Sequence, residues 1–221
     1  MSNGTRLFFR GDRCLDQGEQ MGKKMARVIL CMAMSLDGFI TGPDDNHEHP
    51  LGVQGERLHD WMFDPESAAN EVNAQVRREM SEGTGAVVIG RCMFDLGWEP
   101  WGRANPFDAP LVVTTHREHE PIEAEGKPPI TFVNGGVDAA LDRARQVAGD
   151  HDILIAGGAN IIRQSIAGGH LDELQISLVP LLLNGGKRLF DGSFPDLIEL
   201  EPIRTLESPT ATHVRYKVVK G

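Results

Sequence analysis

Four short stretches of the sequence combine residue types that bind anions. Ile155-Ala156-Gly157-Gly158-Ala159-Asn160 sets two glycines between a strand-like apolar run and a helix-like one. Glycines let a backbone approach a bulky anion, and a helix N-terminus adds free N–H groups and a favourable dipole. Tight strand–helix packing produces the same pattern, so alone it does not decide. Ile89-Gly90-Arg91-Cys92-Met93 repeats the strand–glycine–helix theme with an arginine, whose planar fork suits a 2′-phosphate. Read alone, a surface arginine at a helix start is the simpler account. Val113-Thr114-Thr115-His116-Arg117 ends a strand in two hydroxyls, a histidine and an arginine, groups suited to phosphate or ribose at the carboxyl edge of a parallel sheet. Arg117 by itself reads as a solvated loop cation. Ala33-Met34-Ser35-Leu36-Asp37-Gly38-Phe39-Ile40 leads a buried strand through Asp-Gly into a loop of lid-like length.

The candidates for moving a proton are carboxylates. Asp60, in His59-Asp60-Trp61-Met62-Phe63, would gain a raised pKa if partly buried beside Trp61. A surface acid near a helix start is the plain alternative. Asp37 is the second candidate, with turn formation as its plain alternative. Trp61, Phe63 and Trp98 could wall a flat ring, although core packing accounts for at least two of them. His47-Glu48-His49 lies on a Pro- and Asp-rich loop with no third ligand nearby in sequence, so no metal is expected. Cys92 reads as a small buried filler.

Strands and helices must position these groups. Strand signals cover 27–35, 86–89, 111–115, 130–133 and 152–156, and helix signals cover 66–82, 90–96, 137–147 and 159–167. Residues 36–58 read as a long loop, punctuated by Asp-Gly, Gly-Pro and Asp-Asp-Asn. Leu171–Pro180 and His213–Val219 read as a final antiparallel pair, with a Gly-rich loop at 183–187 and a strand near 198–206 between them. Short apolar strands alternating with helices imply an α/β fold: a mostly parallel sheet covered on both faces, with an antiparallel C-terminal edge. Residues 1–24 are polar and Gly-rich without a period. They read as a tail or a start-site extension, with residues 25–221 as the domain.

The chain of 221 residues suits one large domain, and its formal net charge of -10 disfavours nucleic-acid backbones while leaving room for a local dinucleotide pocket. Its three cysteines, Cys14, Cys31 and Cys92, form neither a metal motif nor a disulfide framework, which fits a reducing, cytoplasmic compartment. There is no apolar run of membrane-spanning length and no secretory h-region, so no membrane partner is expected.

Taken in order, the pieces MAMSLDGFI, VVIGRCMF, LVVTTHRE, ILIAGGANIIRQSI, LDELQISLVPLLLNGGKRLF and HVRYKV resemble the dihydrofolate reductase superfamily. Within it they are most similar to the C-terminal reductase domain of the bifunctional riboflavin-biosynthesis deaminase/reductase and its stand-alone relatives. The resemblance implies a dihydrofolate-reductase-like three-layer sandwich and NADPH-dependent hydride transfer to a small heterocyclic or sugar-imine substrate. The nearest activity it implies is that of 5-amino-6-(5-phosphoribosylamino)uracil reductase. It places the nicotinamide at the backbone of Ala33 and Met34 and makes Gly38 part of the closing loop. It assigns Gly90, Arg91, Thr114, Thr115 and His116 to the 2′-phosphate side, and Gly157, Gly158, Ala159 and Asn160 to the pyrophosphate. Ile161 lines the adenine or nicotinamide side, and Trp61, Asp60 and Gly185 fall on the substrate side. A homodimer is implied as well. The chain departs from the riboflavin enzymes in lacking the deaminase motifs, in Phe39 where a lysine often stands, and in Ala156 where a glutamate often stands. The glutamate resembles a substrate ligand in that family, so Ala156 puts the phosphoribosyl-aminopyrimidine substrate in doubt. A nucleotide-binding or sensor protein with little catalysis is the second expectation.

Overall fold

The computed structural model describes residues 26–192 and 197–220. The Gly-rich tail, including Phe8 and Phe9, lies outside the described residues. Eight strands form one sheet: β1 (Val28–Ser35), β2 (Thr84–Gly90), β3 (Leu111–Thr115), β4 (Ile130–Asn134), β5 (Asp152–Gly157), β6 (Glu173–Val179), β7 (Leu200–Glu207) and β8 (Thr212–Val218). The helices are α1 (Asp60–Phe63), α2 (Pro65–Ala69), α3 (Glu71–Glu82), α4 (Arg91–Gly97), α5 (Gly136–Ala148) and α6 (Ala159–Ala167).

The spatial order is β4-β3-β2-β5-β1-β6-β8-β7. Strands β1 to β6 are mutually parallel, whereas β8 runs antiparallel to both β6 and β7. This is the dihydrofolate-reductase-like, mostly parallel sheet with an antiparallel edge that the sequence implies. Central β1, VILCMAMS, is almost wholly apolar because both of its faces are covered. Its alternating side chains feed different layers. Val28 and Leu30 pack with Ala140, Leu141 and Ala144 of α5 and Ile162 of α6. Ile29 and Cys31 pack with Phe94 of α4. Ala33 packs with Trp61 of α1 and Val76 of α3.

Two expectations change. The helix expected over 66–82 is two helices, because Asn70 adopts an extended ψ of 134° and its side chain caps α3, accepting from Val72 N and Asn73 N. An N-cap of this kind satisfies donors that a continuous helix would bond internally. The stretch 36–58 is largely loop but ends in a 3-10 turn, Gly55–His59. It folds onto itself through Gly42 N→Leu51 O at 2.8 Å and Val53 N→Pro43 O at 2.8 Å.

At the amino end of the parallel strands, Glu173 accepts from Arg27 Nη1 at 2.7 Å and Arg215 Nε at 2.5 Å, while Asp152 also pairs with Arg27. The outer strand β7 is mostly exposed and carries Pro202 beside a register shift, a common way to blunt a sheet edge. Among the described residues, no helix is long and apolar enough to cross a membrane.

Candidate active site

A cavity of about 1820 Å³ opens at the carboxyl edge of the parallel strands and continues across the sheet face beneath α3 and α4. The chain runs from β1 outward to β2, β3 and β4, returns to β5 beside β1, and then crosses to β6 on the far side. Reversals of this type leave a crevice at the strand ends, where ligands of α/β sheets bind.

The edge is built by three glycines. Gly90, Gly135 and Gly158 are the N-cap residues of α4, α5 and α6, and none of these helices has a side-chain cap. By contrast, α2 and α3 are capped by the side chains of Asp64 and Asn70. The first-turn amides of α4, α5 and α6 are therefore left to other partners, and the first turns of α4 and α6 hold no acidic residue. Gly158 has φ +85°, and a Cβ there would meet Gly90 Cα at 3.1 Å. The two glycine turns thus meet back to back at the ends of neighbouring strands. Gly157 needs its lack of a side chain for a different reason: Met93 Sδ occupies the space a Cβ would take.

Most of the residues that the sequence singles out for a nucleotide are brought to this wall: Ala33, Gly90, Arg91, Thr114, Thr115, His116, Gly157, Gly158, Ala159, Asn160 and Ile161. Arg91 is held by Asp95, Nε to Oδ1 at 2.7 Å, and its guanidinium lies 5.6 Å from the ring centres of Phe94 and Phe132. Thr115 Oγ1 accepts from Arg117 N at 3.1 Å. Met34, Gly38 and Gly185 are not among the wall residues. Gly38 and Gly185 instead belong to a latch in which Ile40 N donates to Lys187 O, Leu189 N to Gly38 O, and Gly185 lies beside Pro43.

The two carboxylates considered as proton donors stand elsewhere. Asp60 is 47% exposed, pairs with Arg57 Nε at 3.4 Å and is off the cavity wall, although Trp61 beside it is on the wall. It therefore lacks the burial beside Trp61 that the sequence suggests. Asp37 serves the latch: it accepts from Ser35 Oγ at 2.6 Å, Leu183 N at 3.1 Å and Asn184 N at 2.8 Å. Desolvation pushes its pKa up, but these three donors outweigh it and hold the carboxyl below the usual range. Its carboxylate is engaged in the turn.

The floor beneath the edge is formed by Cys31, Ala33, Val87, Leu154, Ala156 and Ser177. Burial pushes the Cys31 thiol up to about 12, against the pull of Arg215, so it is no nucleophile. Trp61, Phe63, Trp101 and Phe107 supply aromatic wall. Trp98 does not: it packs on Phe94 at 5.2 Å, outside this cavity. Cys92 is exposed and lines the cavity rather than filling the core. Among the described residues no group of three or more His, Cys, Asp or Glu could hold a metal.

Sequence reasoning missed Met93, Ser177, His213 and Asn73. His213 sits behind Ser177 and is 3% exposed. Burial, with Arg204 nearby, lowers its pKa to about 4. Its unfolded value is higher, so the stability tied to neutral His213 is complete above about 6.5 and is lost as pH falls through about 4. Urea unfolding at stepped pH should show this decline as a loss on the order of 2 kcal/mol once screening is allowed for. A His213→Phe variant should lose part of that slope. An unchanged slope would contradict neutral burial.

The comparisons with known proteins agree with this fold. A Bacillus subtilis (strain 168) protein described as uncharacterized protein YyaP is 28% identical over 178 residues, covering 76% of this chain and 81% of its own. The solved Thermotoga maritima diaminohydroxyphosphoribosylaminopyrimidine deaminase/5-amino-6-(5-phosphoribosylamino)uracil reductase shares the fold with a TM-score of 0.59 and 18% identity. The match covers 89% of this chain and 58% of that one. Dihydrofolate reductase from Enterococcus faecalis, complexed with NADP(H) and RAB-propyl, gives a TM-score of 0.52 and 15% identity over 89% of this chain and 98% of that one. The family model of the RibD C-terminal domain matches residues 26–214, and the chain belongs to that family.

Proposed function

We propose that the protein is an NADPH-dependent reductase acting on a small heterocyclic or imine substrate. The observation that carries this is the convergence of three helix starts without side-chain caps, at Gly90, Gly135 and Gly158, on one sheet edge beside Arg91. Free first-turn amides, a close backbone approach and one oriented arginine are what a dinucleotide phosphate requires. The amides at Gly158, Ala159 and Asn160 would hold the pyrophosphate. Arg91, Thr114, Thr115 and His116 would hold the 2′-phosphate side, and the backbone at Ala33 would meet the nicotinamide. When bound, the dinucleotide supplies a hydride.

The chain's own residues then orient the acceptor against an apolar surface. Ala33, Leu154 and Ala156 provide a flat apolar floor, and Trp61, Met62 and Trp101 provide walls. Neither Asp37 nor Asp60 reaches this floor, so in this scheme the proton that follows the hydride comes from water admitted by the cleft. Pairing of two copies along the exposed β7 edge would give the homodimer the resemblance implies. A binding protein with little catalysis is the second reading, favoured by Ala156 on the floor, where the riboflavin enzymes often carry a glutamate.

Arg91→Ala tests the assignment. NADPH affinity should fall roughly 10- to 100-fold with NADH affinity nearly unchanged, the cost of one charge-assisted contact. Equal losses for both nucleotides, read by calorimetry, would remove Arg91 from the 2′-phosphate side. Slow NADPH oxidation with a panel of imine acceptors separates the reductase from the pure binder.

A further inference from the structure

The cavity floor carries a chain of hydrogen bonds whose direction is fixed from its far end. Asn73 is buried, and its Nδ2 faces the Ser67 main-chain oxygen at 2.8 Å and Thr210 Oγ1 at 3.1 Å. A carbonyl oxygen only accepts, so the amide NH₂ must lie on that side. The Asn73 Oδ1 therefore faces His213 Nε2, 2.9 Å away, and Nε2 must carry the proton. His213 is neutral in this setting, because burial disfavours its charged form and Arg204 adds to that effect. Its Nδ1 is then a bare acceptor, and it stands 2.8 Å from Ser177 Oγ. The Ser177 hydroxyl has one proton and donates it there, which leaves only lone pairs for any other partner.

Ser177 lines the cavity and is the register partner of Ala33 across the β1–β6 pair. We propose that Ser177, set by His213 and Asn73, is a specificity-determining acceptor that selects substrates presenting an N–H or O–H beside the group to be reduced. The proposal rests on the reductase reading of the same cavity. A second, independent observation supports it. Trp61 lines the same cavity, meets His213 edge-on with ring centres 4.7 Å apart, and has a buried indole N–H without a partner among the described residues. A buried donor left unpaired is costly, so it too calls for a ligand group. A cyclic amide, –NH–C(=O)–, carries both complements: an N–H for the acceptor at Ser177 and a carbonyl for a donor such as the Trp61 indole. The chain ends in an amide and a carbonyl, neither of which relays protons, so Ser177 is a positioning group and not the acid of the reaction.

Two measurements test this. Nitrogen-15 NMR of the imidazole at pH 7 should show His213 neutral with its proton on Nε2; a proton on Nδ1, or a charged ring, overturns the assignment. The second compares 2-pyridone, which offers –NH–C(=O)–, with 1-methyl-2-pyridone, which lacks the donor, by chemical-shift titration. Wild type should bind 2-pyridone roughly five- to tenfold more tightly. Ser177→Ala should bring that ratio to about one, and Ser177→Thr, which keeps the hydroxyl, should restore it. Equal affinity of wild type for the two probes, including no saturable binding of either, overturns the proposal, as does a ratio that survives in Ser177→Ala. NADPH titration of wild type reads the reductase assignment separately. Nucleotide binding without a pyridone preference defeats the selection by Ser177 alone, and a preference without nucleotide binding defeats the reductase reading alone.

Discussion

Gly158→Val is expected to abolish useful dinucleotide binding, weakening it by at least roughly 100-fold, or about 3 kcal/mol. Gly158 sits at φ +85°, a conformation L side chains rarely adopt. Its absent Cβ would also meet Gly90 Cα at 3.1 Å, Gly90 N at 3.2 Å and Ile161 Cγ2 at 3.4 Å. Two of these neighbours are backbone atoms of an adjacent strand end, so relief requires β2 and β5 to part at the very edge that would hold the phosphates. A β-branched side chain aggravates both effects. Gly102→Ala is the matched control: φ is +68° there, but nothing lies within 4 Å and the residue is off the cavity wall. Calorimetry with NADPH, beside thermal melts of both variants, should show binding lost in the first and kept in the second. Retained NADPH affinity in a folded Gly158→Val protein would remove the glycine turns from the site.

Glu173→Ala should cost the most stability, roughly 3–5 kcal/mol. The carboxylate is 9% exposed and is shared between Arg27 and Arg215, the latter 16% exposed. Removing it leaves two guanidinium groups partly desolvated without their counter-charge, and breaking a buried pair from one side is dearer than never having built it. Asp152 still compensates Arg27, so the damage centres on Arg215, which stands beside β6 in the β8 ladder. Because this network lies at the amino end of the strands, NADPH binding should survive in whatever fraction remains folded. Urea denaturation reads the effect, and a change below about 1 kcal/mol would place the network among ordinary surface pairs.

Much of the fold was legible because its signals are local. The apolar runs of β1, β2, β3 and β5 are continuous, as strands covered on both faces must be, and each is closed by a glycine or hydroxyl residue at its end. The glycine turns at Gly90 and Gly158 were legible for the same reason. The break at Asn70 was not, since Ala68, Val72, Val76 and Met80 keep a helical spacing straight through it, and only the N-cap geometry of Asn70 ends the first helix. Side-chain roles that depend on distant partners were out of reach. Asp37 looked free until its partners at Leu183 and Asn184, 146 and 147 residues away, were seen. Asp60 and Trp61 are neighbours in sequence, yet a short helix buries one and exposes the other. Ser177, His213 and Asn73 are linked across 36 and 140 residues, with no local pattern to announce them.

The most direct measurement is calorimetric titration of the wild-type protein with NADPH and then NADH under matched salt and pH. A pocket of this kind predicts saturable NADPH binding that is clearly tighter than NADH binding. Saturable binding of neither nucleotide would contradict the reductase assignment and leave the fold without the function proposed for it.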